Sequence, residues 1–187
     1  ATRDLLHQDP EALQGAVAEL RRNLQPWFPF DGMSFIGRDG RLRAIDPPAP
    51  ELIGTDLSQR EYVRRVLATG EPHVSDAFRA RTGRLIVVVS VPVRDASGAV
   101  AGVLSGSLHL EKDNQLARLL ASLERDTGAR YLVVDSQRVA VYASRNADGA
   151  GTPVPAEVLQ RLAASGSRGE WVDLWGERYL GAAAGAG

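Results

Sequence analysis

The residues with the clearest potential for chemistry lie in one short segment, GTDLSQREYV. Ser58 and Glu61 have the spacing of a capping box, which predicts that a helix starts there and that Arg60 lies in its first turn. A cation in the first turn opposes the helix dipole at a cost of up to about 1 kcal/mol, so Arg60 requires a partner. That partner is either Asp56, in a structural ion pair, or an anionic ligand, which the helix N-terminus would itself favour.

Tyr62 follows two residues later and has a simpler explanation. It shares an apolar helical face with Val63, Val66 and Leu67, and this face predicts core packing. Arg60 is therefore the residue of this segment that helix formation does not explain.

The other reactive side chains do not combine into a catalytic motif. The sequence has no nucleophile elbow, no phosphate-binding loop and no zinc-protease motif. It has no cysteine, and the three histidines, His7, His73 and His109, are scattered, so a metal site would need widely separated ligands. We predict a protein that is not an enzyme and that uses neither a metal nor a cofactor.

Composition describes an ordinary globular chain. Its 187 residues are 44% hydrophobic and 24% charged, enough for one sizeable domain or two small ones. The formal net charge of -1 argues against nucleic acid or anionic lipid as a partner. No apolar run approaches the roughly 20 residues that a membrane-spanning helix requires.

Hydrophobic periodicity predicts an α+β fold that begins with an amphipathic helix. Asp9 caps this helix and it ends near Pro26. Its apolar stripe could pack on the chain's own sheet or pair with a second copy of the chain; the stripe consists of Leu13, Val17, Leu20 and Leu24.

The next elements predict an antiparallel sheet. A hairpin at 33–45 precedes the helix of the opening segment, and three strands follow at 72–78, 84–93 and 99–110. The links between these strands are too short for parallel crossovers. In the last strand one face is mainly apolar, and the other is small and polar, as a pocket wall or a solvent face would be; it includes Ser105, Ser107 and His109.

The second half of the chain repeats part of this plan. A helix at 114–124 leads to a hairpin at 131–143, a helix at 155–164 and a hairpin at 171–183. The spacing is 96 residues from Asp39 to Asp135 and 97 from Gly54 to Gly151. These matching intervals predict two copies of one supersecondary unit.

The order of motifs resembles the first module of a double Cache domain. The resemblance covers 34–110 and rests on five runs: GTDLSxRxYV from Gly54, ATGxP from Ala68, SDxF from Ser75, TGxxIVVVSVPV from Thr82 and GxxxGVL from Gly98. Double Cache domains are the extracytoplasmic sensors of bacterial chemoreceptors, histidine kinases and diguanylate cyclases.

The resemblance implies an N-terminal helix followed by two PAS-like antiparallel-sheet modules. We assign 1–30 to the signalling helix, 31–112 to the membrane-distal module, and 113–187 to a linker helix with a membrane-proximal module that lacks its last strands. A protein of this kind is expected on the periplasmic face of the inner membrane, anchored through segments absent from this chain, and a homodimer is plausible.

The resemblance also implies a distal pocket for a small metabolite. Arg60 and Tyr62 match positions that contact a ligand carboxylate in this family. Members that bind amino acids carry a Tyr and an Asp before the Thr-Gly pair, where this chain has Phe78 and then Arg79 or Ala80. They carry a further Asp where this chain has Ser107.

These substitutions remove the two carboxylates that would hold an ammonium group. Burying an unpaired ammonium costs several kcal/mol, which disfavours an amino acid. We therefore expect a small organic anion as the ligand. The expected ligand-binding residues are Arg60, Tyr62, His73, Phe78, Arg79 and Ser107. The alternatives are a ligand-free module for dimerisation or partner binding and, second, an amino-acid sensor.

Overall fold

The computed structural model describes residues 9–28, 30–110, 114–128, 130–144, 150–165, 170–174 and 177–181. It divides into two compact units, one formed by 1–109 with 114–116 and the other by 110–113 with 117–187. The domain boundaries drawn from the sequence stay a prediction. None of the described helices is long and apolar enough to cross a membrane.

The first unit contains a six-stranded antiparallel sheet with a helix packed on each face. Its helices are α1 (Pro10–Leu24) and α2 (Glu61–Thr69). Its strands are β1 (Gly32–Gly37), β2 (Leu42–Asp46), β3 (His73–Val74), β4 (Phe78–Arg79), β5 (Leu85–Arg94) and β6 (Val100–His109). The order along the path is β2-β1-β6-β5-β3, and β4 also pairs with β5.

The long strands β5 and β6 organise this sheet. They pair from Ile86 and His109 to Arg94 and Val100. The edge strand predicted at 72–78 is interrupted instead of continuous. β3 ends at Val74, and at Ser75 the side-chain oxygen accepts the amide of Val88 at 2.9 Å while the Ser75 amide donates to the carbonyl of Val88 at 2.9 Å.

One face of the sheet forms a core with α1. Leu13 and Val17 are buried against Met33 and Phe35, and Leu20 and Leu24 pack beside them. The predicted stripe of α1 thus packs on the chain's own sheet. It gives no independent reason for a dimer.

The opposite face forms a second core with α2. Val63 and Val66 are fully buried with Ile36 and Val103, and Tyr62 packs at its margin. Leu104 on β6 belongs to the α1 core, whereas its neighbour Val103 belongs to the α2 core. Two cores on opposite faces follow from the two-residue period of a strand.

The second unit contains shorter versions of the same elements. Its two hairpins pair β7 (Leu132–Val134) with β8 (Ala140–Ala143) and β9 (Glu170–Leu174) with β10 (Glu177–Gly181). Two further α-helices are described, α3 (Gln115–Thr127) and α4 (Ala156–Ser165), and a short 3-10 helix spans Pro50–Leu52 in the first unit. The predicted hairpin at 171–183 is present as β9 and β10; its positions 175, 176, 182 and 183 lie outside the described residues.

The internal repeat is visible in the backbone. The amide of Gly54 donates to the carbonyl of Leu42 at 2.8 Å, and the amide of Gly151 donates to that of Ala140 at 2.8 Å. Both glycines have a left-handed backbone, with φ of 82° and 83°. Glycine adopts this conformation without steric cost, which explains why it recurs at the same point of both units.

A partly buried polar cluster lies in the second unit. Glu124 of α3 accepts hydrogen bonds from Tyr142 at 2.8 Å and from Ser144. Burial and this carboxylate raise the pKa of Tyr142 to about 12. The phenol therefore stays protonated and continues to donate at any physiological pH.

Two glycine substitutions should have opposite effects on stability. A methyl group at Gly102 of β6 would lie 2.5 Å from the carbonyl of Ile36 and 2.6 Å from the ring of Phe35. Gly102→Ala should lower the free energy of unfolding by about 1–3 kcal/mol through overpacking. Gly15→Ala meets nothing within 4 Å on α1 and should raise it by up to about 1 kcal/mol.

Guanidinium unfolding followed by circular dichroism measures both changes. If Gly102→Ala were as stable as the parent chain, the close packing of β6 against β1 would be wrong.

Candidate ligand-binding site

A cavity of about 420 Å³ opens on the face of the first unit that carries α2. Its walls come from β1, β2, the loop that follows β2, the start of α2, β4, the turn after β4, and the ends of β5 and β6. This volume lies in the range of about 300–1,000 Å³ that is usual for sites that bind small molecules.

Arg60 lies at the start of α2, but the predicted capping box is wrong. The helix begins at Glu61, and Arg60 is its N-cap residue with an extended backbone, φ -69° and ψ 131°. Ser58 cannot cap the helix because it belongs to the preceding turn, where its amide donates to Asp56 Oδ1 at 2.9 Å. The backbone carbonyl of Arg60 accepts the amides of Val63 and Arg64, at 3.1 and 3.0 Å.

The guanidinium of Arg60 lies over an aromatic ring. Its central carbon lies 5.5 Å from the centroid of the Phe78 ring. Tyr62 stacks on the same Phe78 ring, with the two ring centroids 5.8 Å apart and an interplanar angle of 19°. Burial raises the pKa of Tyr62, and Arg60 partly offsets that shift. The phenol is therefore a neutral hydrogen-bonding group beside a cation.

Arg60 has no carboxylate partner in the described part of the chain. The ion pairs found there join other residues, and Asp56, the predicted structural partner, interacts with Ser58 and with the charge of Arg41. An arginine that lines a cavity without a carboxylate partner has donors available for a ligand.

Four of the six predicted ligand-binding residues line the cavity, namely Arg60, Tyr62, Phe78 and Ser107. His73 and Arg79 are not among its lining residues. His73 turns toward α2, where its Nε2 lies 2.8 Å from Glu61 Oε2. Arg79 donates to the carbonyl of Gly83 at 2.8 Å, and it is Ala80 that lines the cavity. Of these two neighbours, Ala80 lines the cavity and Arg79 does not.

The predicted polar face of β6 is the floor of the cavity. Ser105, Ser107 and His109 all line it. Ser90 and Ser105 are directly opposite each other on β5 and β6, and their buried hydroxyl groups are 2.9 Å apart. The hydroxyl of Ser107 donates to the carbonyl of Gly32 at 3.3 Å.

A cluster of charged and polar side chains at the end of β6 was not predicted from the sequence. Arg84 Nη1 lies 3.2 Å from His109 Nδ1, and since a guanidinium only donates, Nδ1 accepts and the imidazole proton resides on Nε2. Asp31 Oδ2 accepts the backbone amide of His109 at 2.8 Å. All three residues line the cavity. The alternation of β6 could have drawn attention to His109, but only strand pairing brings Asp31 to it.

A second carboxylate, that of Asp46, is also at the cavity. It forms an ion pair with Arg21 of α1, and the two side chains are only 11% and 20% exposed. Gln14 of α1 adds two hydrogen bonds to the backbone of Ile45, at 2.7 and 3.1 Å. Polar contacts therefore fasten α1 to the β2 end of the cavity wall.

The first unit thus combines an antiparallel sheet, an N-terminal helix packed on one face and a small cavity on the other. Residues 14–109 match the model of the family described as HK/GC/Chemotaxis protein-like, sensor domain. The chain belongs to this family, which is one of sensor domains and not of catalysts. A search of curated protein sequences found no match.

Solved structures share the fold. The ligand-binding domain of the Pseudomonas fluorescens chemoreceptor CtaA, solved with L-serine, is 17% identical with a TM-score of 0.66; the match covers 96% of this chain and 74% of that one. The Campylobacter jejuni chemoreceptor Tlp3, solved with 4-methylisoleucine, is 14% identical with a TM-score of 0.63; the match covers 96% and 69%. These likenesses and the family confirm the predicted α+β fold and the resemblance to Cache sensors.

A longer protein shows the same fold. An extracellular ligand-binding receptor from Desulfohalobium retbaense is 17% identical with a TM-score of 0.61, and the match covers 98% of this chain. The chain spans only 36% of that protein's length.

Removing Arg21 should destabilise the protein because it leaves the Asp46 carboxylate without its partner. Arg21→Met is expected to lower the free energy of unfolding by about 3 kcal/mol, and the Arg21→Met, Asp46→Asn double variant to recover at least half of that loss. Arg22→Met, at the exposed neighbouring position, should change it by less than about 0.5 kcal/mol.

Denaturant unfolding of the four chains measures these effects. Equal losses for Arg21→Met and Arg22→Met would contradict a stabilising pair at Asp46.

Proposed function

We propose that this chain is the extracytoplasmic sensor portion of a membrane-anchored bacterial signalling receptor, and that its cavity binds a small organic anion. The carrying observation is the Arg60 guanidinium, which lines the cavity without a carboxylate partner among the described residues. The membership of the sensor-domain family supports the signalling role. Anchoring through segments outside this chain and a dimeric state are part of the same proposal.

The anion would bind where directional donors meet. Arginine holds a carboxylate through two parallel hydrogen bonds, and the neutral Tyr62 phenol lies in the same aromatic group. The ring of Phe78 would cover one side of the arginine and its bound carboxylate. Water would be partly excluded there, which strengthens the charge-assisted bonds.

An amino acid is the second candidate because of Asp31. Asp31 lines the cavity, and no arginine pairs with it among the described residues; its Oδ1 lies 3.9 Å from His109 Nδ1. The solved structures of CtaA and Tlp3 contain amino acids. The carboxylate of Asp31 could accept an ammonium group, although Ala80 and Ser107 offer it no second one.

Propionate and alanine separate the two candidates because they differ only in the ammonium group. An organic-anion site should bind propionate, and calorimetry should give alanine no advantage. Arg60→Gln should weaken propionate by about 10- to 100-fold, the value of a charge-assisted hydrogen bond. Arg64→Gln changes the same charge on the solvent side of α2 and should leave affinity unchanged.

Tighter binding of alanine, lost in Asp31→Asn, would replace the organic anion with an amino acid. The absence of any binding across a panel of carboxylic and amino acids would favour the ligand-free alternative, a module for dimerisation or partner contact.

A further inference from the structure

The cavity has a surplus of positive charge that one carboxylate does not neutralise. Three arginines line it, Arg60, Arg81 and Arg84, against the two carboxylates of Asp31 and Asp46. In the described chain none of these three arginines forms an ion pair.

Asp46 does not reduce this surplus, because its charge is already balanced by Arg21 of α1. The remaining groups are three guanidiniums and the Asp31 carboxylate. Their sum is a surplus of two positive charges when His109 is neutral. A monocarboxylate would leave one of them, and a zwitterionic amino acid would leave both.

The positive charges lie at two separate places. Strand register sets Phe78, Ile86 and His109 side by side on β4, β5 and β6. Neighbouring strands are about 4.8 Å apart, so the backbones of Phe78 and His109 are separated by about 10 Å. Arg60 lies over Phe78, and Arg84 lies against His109.

The group at His109 has hydrogen-bond donors to offer. Arg84 uses one of its five guanidinium N–H groups on His109 Nδ1, and the described residues show no further bond of this guanidinium. This bond leaves the imidazole with a donor at Nε2. Asp31 Oδ2 accepts the His109 backbone amide, and Asp31 Oδ1 lies 3.9 Å from His109 Nδ1, on the side of the imidazole away from Nε2.

We propose that Arg84 and His109 form a second anion subsite, and that the natural ligand is a dicarboxylate held between this subsite and Arg60. The inference rests on the proposed function, since it takes Arg60 as the anchor of the first carboxylate. Arg84 and Arg81 are exposed, so solvent screens the second carboxylate more than the first. The first carboxylate therefore anchors the ligand, and the second distinguishes it from other acids.

The test compares butyrate with succinate, which replaces the terminal methyl group by a carboxylate. The 187-residue chain should bind succinate about 10- to 100-fold more tightly in calorimetry, the worth of a charge-assisted contact. The affinities of malonate, glutarate and adipate then show which distance between two carboxylates fits the cavity best. Arg84→Gln should remove the preference for succinate and weaken butyrate far less than succinate, whereas Arg60→Gln should weaken both acids.

Arg64→Gln is the matched control, and circular dichroism confirms that the variants fold. Equal affinity for the two acids, or a succinate preference that persists in Arg84→Gln, overturns the second subsite and leaves the anion sensor intact. Failure of every acid to bind the parent chain overturns the anion sensor itself. Tighter binding of aspartate than of succinate, abolished in Asp31→Asn, overturns the organic anion in favour of an amino acid. It leaves the second subsite to be judged by the butyrate and succinate comparison, because aspartate carries the same two carboxylates as succinate.

Discussion

The alternation of side chains along β5 and β6 is the constraint on which the rest of this structure depends. A strand turns successive residues to opposite faces, so one pair of strands supplies both a support for α1 and a cavity wall. Leu104 faces the α1 core, whereas Ser105 and Ser107 face the cavity. A register slip of one residue would exchange these faces, so the same register is required for the apolar core and for the cavity wall.

The charged groups at the cavity differ in their partners: one is paired with an opposite charge, and another lies against an aromatic ring. Asp46 is held by Arg21, so it stabilises the fold and has little capacity left for a ligand. Arg60 has an aromatic ring in place of a carboxylate, which retains the guanidinium in position without occupying its hydrogen bonds. Such an arrangement would suit the proposed anion, since an incoming carboxylate would meet a cation that is already oriented and only partly hydrated.

The contacts of α1 suggest how occupancy could reach the N-terminal helix. Gln14 and Arg21 bind the end of β2, and Ile45 and Asp46 at that end also line the cavity. A ligand that binds one arrangement of this wall better than another would bias α1 by that difference in affinity and by no more. The short chain of contacts, from cavity to β2 to helix, lies within one compact unit.

The sequence by itself determined the elements whose signals are local. Hydrophobic period, turn residues and glycine positions predicted α1, the β1–β2 hairpin, the two long strands and the repeat, because each depends on neighbours along the chain. Motif order pointed to the family and to Arg60. Tertiary structure decided the start of α2, because the bridge between Arg41 and Asp56 and the bond from the Leu57 amide to the carbonyl of Gly40 hold the turn at Ser58 that displaces the predicted cap. It also decided which side chains meet at the cavity. Asp31 and His109 are 78 positions apart, and Arg84 and His109 are 25 apart. No local pattern reports such distances, because they are set by the pairing of β1, β5 and β6.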